Sequence, residues 1–95
     1  MIVHMVCFKY KPDVETAARQ DHRGRLRKLA DLDGIVELKV GEDVLQTKRS
    51  YDTGLLVLFR DREALSDYAA HPRHVPVSEL GTQLSQHIVA VDFEA

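Results

Sequence analysis

The stretch Tyr68-Ala69-Ala70-His71-Pro72-Arg73-His74-Val75 decides how the second half of this chain folds. Pro72 should end the helix that carries Tyr68, because the residue before a proline is pushed out of the helical region. The chain resumes beyond the proline with a second imidazole, His74. The stretch therefore predicts one phenol and two imidazoles gathered around a single helix break.

Hydrophobic periodicity around this break predicts four strands and two main helices. The strand patterns cover residues 2–10, 35–42, 51–60 and 86–94, and residues 43–50 should form a loop. The first helical pattern covers residues 13–32, with a cap at Asp13 and a stop at Asp33-Gly34. The second runs from Asp61 to Pro72. A third, short helix should begin at Pro76, and Gly81 could break it. The order β-α-β-β-α-β predicts one α+β domain over residues 1–95, with a ferredoxin-like four-stranded antiparallel sheet and helices on one face.

Three of the four predicted strands are apolar on both faces, although the helices can cover only one face of the sheet. Exposure of the other face would leave a patch of several hundred Å², which is on the order of the largest patches on soluble monomers. The side chains that we expect on that face are Met5, Cys7, Leu56, Leu58, Ile88 and Ala90, or else the opposite set. The pattern therefore predicts a homodimer in which two sheets pack face to face.

Composition excludes several kinds of partner. The net charge of −2 gives the molecule no general attraction for nucleic acid or for an anionic membrane. No apolar segment approaches the roughly 18 residues that a membrane span needs, and the N-terminus does not resemble a signal peptide. A single cysteine, Cys7, excludes an internal disulfide and favours a reducing compartment, so we expect a cytoplasmic protein.

Four segments together resemble the stress-responsive A/B barrel domain family, and the resemblance covers essentially the whole chain. They are the opening His4-Met5-Val6, the end of the second strand at Val40-Gly41-Glu42-Asp43, the Tyr68–Val75 stretch and the closing residues 87–93. The resemblance implies a ferredoxin-like fold that dimerises into an α+β barrel. We expect a small, partly apolar ligand in a pocket between the sheet and the helices.

Some plant members of this family resemble polyketide cyclases, and that likeness implies roles for individual residues. The tyrosine and the second histidine of the stretch correspond to Tyr68 and His74, and His4 matches a further pocket histidine. His74 would act as the base and Tyr68 as the hydrogen-bond donor in an aldol or Claisen closure. His4 and His71 would contact the ligand. Those enzymes carry a histidine in the third strand where this chain has Thr53.

Other interpretations of the same residues remain open. His71 and His74 could bond backbone groups freed by Pro72, with Tyr68 a core aromatic, and for His71 we favour this structural role. Fold-level analogy alone would allow a cofactor-free oxygenase or a haem-degrading protein, and a non-catalytic stress protein is a further alternative. A proline separates His71 from His74 and no zinc-binding pattern is present, so we predict neither a metal nor a cofactor.

Overall fold

The computed structural model describes all 95 residues, which form one four-stranded antiparallel sheet with helices on one face. The sheet order is β2-β3-β1-β4, so β2 and β4 are the edge strands. The predicted ferredoxin-like architecture is confirmed. The elements are β1 (Ile2–Tyr10), α1 (Thr16–Arg27), a 3₁₀ turn (Lys28–Asp31), β2 (Ile35–Glu42), β3 (Thr53–Phe59), α2 (Arg62–Ala70), α3 (His74–Leu84) and β4 (Ser85–Glu94).

The core lies between the helices and one face of the two central strands. Alternate side chains of β1 and β3 point into it, and Val57 and Phe59 are completely buried. Leu26 and Leu29 close the core from the α1 side. This face also receives His4, because His4 pairs with Val57 in the register of β1 and β3.

The first helix is shorter than its pattern predicts. Asp13 does not cap it, because Lys11 to Val14 form a turn closed by the Val14 N–H and the Lys11 carbonyl at 3.1 Å. Proline favours the second position of such a turn, which delays α1 to Thr16. At the other end, the regular helix gives way at Lys28 to the 3₁₀ turn. The whole helical segment thus ends at Asp31, slightly before the predicted stop at Asp33-Gly34. Gly34 itself takes a conformation that favours glycine, with φ +88°, and a Cβ there would lie 2.5 Å from the Cβ of Ala64.

The break at Pro72 is confirmed. Asp61 caps α2 by accepting a hydrogen bond from the Ala64 N–H at 2.8 Å, and His71 leaves the helical region with ψ 134°. The third helix begins at His74, two residues earlier than predicted, because the His71 carbonyl accepts the first N–H groups of the new helix. It also runs unbroken through Gly81.

The face away from the helices is uncovered, and it is apolar over its central strands and β4. Its members on β1 and β3 were predicted correctly, but the alternation on β4 was assigned to the wrong face. Ile88 pairs with Phe8 and Ala90 with Val6, so both lie on the helix side. The uncovered face instead receives Val89, Val91 and Phe93 from β4, because these pair with Cys7, Met5 and Val3. We call this surface the open face.

No helix in the structure combines the length and the apolar character that crossing a membrane requires.

Candidate functional site

The kink at Pro72 brings Tyr68 and His74 into contact, as the sequence predicts. Their ring centroids are 4.1 Å apart, and Tyr68 is only 3% exposed. Arg73 fixes the kink to the end of the first helical segment. Its guanidinium donates one hydrogen bond to the Lys28 carbonyl at 2.8 Å and another to the Asp31 carboxylate at 3.0 Å. The hydrogen bond to the carboxylate lowers the pKa of Asp31.

The environment of His74 keeps the ring neutral. Its Nδ1 lies 3.3 Å from the Ala69 carbonyl, and a carbonyl can only accept, so Nδ1 carries the proton and Nε2 keeps its lone pair. Burial lowers the pKa of His74. The hydrogen bond with the Ala69 carbonyl raises this pKa in part, and the nearby His4 and His71 lower it further. A neutral imidazole with a free Nε2 is able to take a proton near pH 7.

The hydroxyl of Tyr68 is buried and has no hydrogen-bond partner. Burial raises the pKa of Tyr68 to about 12, so the hydroxyl keeps its proton and remains a donor at neutral pH. An unsatisfied buried polar group costs on the order of 1–3 kcal/mol. The fold therefore holds a hydrogen-bond donor that an incoming acceptor could satisfy.

His4 projects from β1 toward this pair, with its ring centroid 6.1 Å from that of Tyr68. Its Nδ1 is hydrogen-bonded to the carboxylate of Asp92, the residue directly opposite on β4. A carboxylate accepts, so Nδ1 donates, and the other ring nitrogen of His4, Nε2, makes no hydrogen bond in the structure. We use the name His4–Tyr68 cluster for His4, Tyr68, His74 and Asp92.

His71 has a different environment from the other two histidines. Its Nδ1 accepts the backbone N–H of Arg73 at 3.0 Å, across Pro72. No ring of the His4–Tyr68 cluster packs against it. The structure therefore brings together three of the four residues predicted for the site and leaves His71 at the backbone break.

A cleft of about 280 Å³ opens beside the cluster, between α2 and β4. The cleft is lined by both apolar and charged residues, and among them only Phe93 has its side chain on the open face: Ile2, Arg62, Leu65, Asp92, Phe93 and Glu94. Asp92 connects the cleft to the His4–Tyr68 cluster, because it lines the cleft and is hydrogen-bonded to His4. The rings of His4, Tyr68 and His74 do not line the cleft.

A second buried polar group lies under α1, and we call it the Tyr10–His22 cluster. The Tyr10 hydroxyl contacts Nδ1 of His22 at 2.7 Å and the hydroxyl of Thr53 at 2.9 Å. Arg23 donates to the same Thr53 hydroxyl at 2.8 Å. Burial raises the pKa of Tyr10 and, with a smaller contribution from Arg23, lowers the pKa of His22 to about 4.

Sequence reasoning missed Asp92 and the Tyr10–His22 cluster. Asp92 is the one charged residue within the apolar run of residues 88–93, and that break in the pattern is a usable signal. Its pairing with His4, 88 residues away, depends on the register of β1 and β4. His22 was assigned correctly to the buried stripe of α1, but its partners come from two other elements. Nowhere in the chain do three or more His, Cys, Asp or Glu side chains cluster as a metal site would require.

The fold and the kinked motif define a class: small α+β domains of the ferredoxin-like type. Residues 2–95 match the Stress Responsive A/B Barrel Domain, and the chain belongs to that family. The sequence is 28% identical over 99 residues to the stress-response A/B barrel domain-containing protein DABB1 of Arabidopsis thaliana. The match takes in 100% of this chain and 47% of the relative, so the chain spans about half of the relative's length.

Two solved structures illustrate the similarity in fold. A dimeric ferredoxin-like protein of unknown function from Thermobifida fusca has a TM-score of 0.91 at 21% identity, with 99% of this chain and 90% of that chain covered. A second dimeric ferredoxin-like protein of unknown function, from Jannaschia, has a TM-score of 0.84 at 27% identity, with 99% and 98% covered. Both neighbours are dimeric, and their fold is the one observed here.

Proposed function

We propose that this protein binds a small, partly apolar carbonyl compound in the cleft between α2 and β4. The observation that carries the proposal is the buried Tyr68 hydroxyl, which has no partner and lies against His74 and near His4. A carbonyl oxygen would supply the missing acceptor. The apolar part of the molecule would lie along Ile2 and Leu65.

Access to the hydroxyl depends on the His4–Asp92 pair. The side chain of Asp92 is 42% exposed whereas that of His4 is 16% exposed, so Asp92 is the freer of the two to rotate. A ligand that displaces Asp92 would reach His4 from the cleft and Tyr68 behind it. His4 is therefore a ligand-contacting residue in this proposal, and His71 holds the backbone turn that positions His74.

The same geometry supports acid–base chemistry on the bound molecule. The free Nε2 of His74 would take a proton from the carbon next to the carbonyl, and the C–H electron pair would move onto the oxygen as an enolate. The Tyr68 hydroxyl would stabilise that oxygen by donating to it. This is the proton transfer that begins the ring closure implied by the likeness to polyketide cyclases.

Binding can be tested with ethyl acetoacetate, a small β-keto ester, as the probe. Titration into ¹³C-labelled protein should shift the ring resonances of His4 and His74. Tyr68→Phe should weaken binding by about tenfold, the equivalent of one lost hydrogen bond of about 1.4 kcal/mol. Tyr51→Phe is the matched control, since Tyr51 lies outside the cluster. Equal affinity in wild type and Tyr68→Phe would contradict the proposal.

Catalysis can be tested separately in D₂O. Deuterium uptake at the carbon between the two carbonyls of the ester should be faster with protein than in buffer, and His74→Ala should abolish the difference. Binding without accelerated exchange would identify a ligand-binding protein and refute the catalytic role of His74.

We also propose a homodimer formed through the open face and located in the cytoplasm. The support is the apolar surface of that face, where Met5 is 42% exposed and Val91 61% exposed, together with the dimeric state of the two structural neighbours. Sedimentation at micromolar concentration should give a dimer. A stable folded monomer would contradict this part of the proposal.

A further inference from the structure

Arg62 lines the cleft from α2, and no acceptor in the molecule binds it. Hydrogen bonds or ion pairs engage Arg19, Arg23, Arg25, Arg27, Arg60 and Arg73. Arg49, in the loop between β2 and β3, also has no partner, but it lies outside this cleft. A guanidinium is a planar fork of donors that matches the two oxygens of a carboxylate. The cleft therefore contains a carboxylate-binding group that no carboxylate of the protein occupies.

The helix α2 places this cation in line with the Tyr68 hydroxyl. Arg62, Leu65 and Tyr68 follow one another at intervals of three residues, so successive members of the row are neighbours on the helix surface. Burial increases along the row: Arg62 is exposed, Leu65 is half-buried and Tyr68 is buried. Six residues of helix advance about 9 Å. The row therefore runs from a cation at the rim, past an apolar wall, to a hydrogen-bond donor at the inner end.

The strands β1 and β4 give a similar spacing on the opposite wall. Ile2 and Glu94 are paired, and both line the cleft with Arg62. The next pair on the same face is His4 and Asp92, two residues further along β1 and two residues back along β4. Two residues of strand advance about 7 Å. Both walls therefore separate the cationic end of the cleft from the hydroxyl of the cluster by about 7–9 Å.

We propose that Arg62 makes the cleft selective for carbonyl compounds that also carry a carboxylate, an inference that rests on the binding function proposed above. The carbonyl oxygen accepts from Tyr68, the carbon chain lies along Leu65, and the carboxylate binds Arg62. An extended carbon chain advances about 1.3 Å per bond, so about six bonds span the distance. The ligand class is a keto acid with that separation between its carbonyl and carboxyl carbons, as in 7-oxooctanoate.

Glu94 reports the sign of the ligand's charge. It lines the same end of the cleft as Arg62, and the two side chains form no ion pair. Because like charges repel, the Glu94 carboxylate weakens the binding of an anion and would strengthen the binding of a cation. Glu94→Gln should therefore bind 7-oxooctanoate about twofold more tightly, since the repulsion between exposed groups is small.

The experiment compares 7-oxooctanoate with its neutral methyl ester by titration into the whole chain near pH 7 and at low salt, followed by the ring resonances of His4 and His74. The acid should bind about fivefold more tightly than the ester, near the upper end of the range for exposed ion pairs. Arg62→Gln should remove this preference by weakening the acid alone. Arg49→Gln is the matched control and should retain the preference.

Chain length provides a second measurement. 5-Oxohexanoate is two bonds shorter and cannot reach Tyr68 and Arg62 together, so it should bind no more tightly than its own methyl ester. A fivefold preference for this shorter acid would contradict the spacing that defines the ligand class.

The outcomes separate this inference from the binding function itself. Equal affinity for 7-oxooctanoate and its ester, or the same preference in Arg62→Gln as in Arg49→Gln, would overturn the role of Arg62. The binding function would still stand if the ester shifted the ring resonances. If neither compound shifted them, both proposals would fail. Weaker binding of the acid to Glu94→Gln than to wild type would also contradict recognition of an anion.

Discussion

The molecule contains two buried tyrosine–histidine pairs, and they differ in whether the tyrosine hydroxyl has a hydrogen-bond partner. Tyr10 and Tyr68 are 1% and 3% exposed, and each ring packs against an imidazole. The Tyr10 hydroxyl has two partners, His22 and Thr53, whereas the Tyr68 hydroxyl has none. The residue types are the same, but only the Tyr68 hydroxyl is left without a hydrogen-bond partner.

This difference shows that residue type alone does not separate a site from a scaffold. In the Tyr10–His22 cluster the hydrogen bonds run between β1, α1 and β3, so they fix these elements to one another. In the His4–Tyr68 cluster each histidine uses one nitrogen to fix its own ring, and the Tyr68 hydroxyl is bonded to neither histidine. The hydrogen bonds of the Tyr10–His22 cluster stabilise the fold. The His4–Tyr68 cluster instead leaves the Tyr68 hydroxyl without a hydrogen-bond partner.

The largest expected effect is on the scaffold side of the comparison. His22→Ala should lower the free energy of unfolding by about 3–5 kcal/mol, because it leaves a cavity in the core and removes a partner of the Tyr10 hydroxyl. Chemical denaturation measures the change. His87→Ala is the control, since His87 is an exposed residue of β4, and it should change stability by less than about 0.5 kcal/mol. Similar losses for both variants would contradict the structural role of His22.

The pH dependence of stability should also report on His22. Its pKa is about 4 in the folded protein and about 6.5 in the unfolded chain, so the unfolded state takes up the proton first as the pH falls. Stability should therefore be full above pH 6.5 and decline toward pH 4, with a total loss of about 3 kcal/mol from this group.

Urea titrations at several pH values test this expectation. His22→Gln, which cannot titrate, should flatten much of the decline. An unchanged pH profile in that variant would assign the dependence to other groups.

A smaller effect should separate two helical glycines. A Cβ on Gly81 would lie 3.1 Å from Nε2 of His22 and 3.1 Å from the ring of Phe8, whereas a Cβ on Gly24 would meet nothing within 4 Å. Gly81→Ala should cost about 1–3 kcal/mol through overpacking against the Tyr10–His22 cluster. Gly24→Ala should instead stabilise the protein by about 0.5–1 kcal/mol, as expected inside a helix. Thermal unfolding of both variants is the measurement, and equal signs would contradict this difference.

Much of the fold is predictable from the sequence because its signals are local. The alternation of β1 and β3, the Asp61 cap and the Pro72 break each act within a few residues, and the structure confirms all three. The late start of α1 could not be predicted, because Pro12 suits both a helix start and the turn that the chain forms.

The candidate site is predictable only in part, for the same reason. Tyr68 and His74 share one kink, so their contact follows from local sequence. Asp92 reaches His4 through strand register, and a register shift of one residue would turn its side chain to the open face. The β4 alternation was misassigned for this reason, since an apolar edge strand carries no signal of which face is inward.

The most direct test of the account compares two single hydroxyl deletions, Tyr10→Phe and Tyr68→Phe, by equilibrium urea unfolding. Tyr10→Phe should destabilise the protein by about 1–3 kcal/mol, because it strands the buried Nδ1 of His22. Tyr68→Phe should leave stability unchanged or raise it by up to about 1 kcal/mol, because the hydroxyl it removes has no partner. A loss for Tyr68→Phe equal to that for Tyr10→Phe would show that both hydroxyls belong to the scaffold, and would contradict the account.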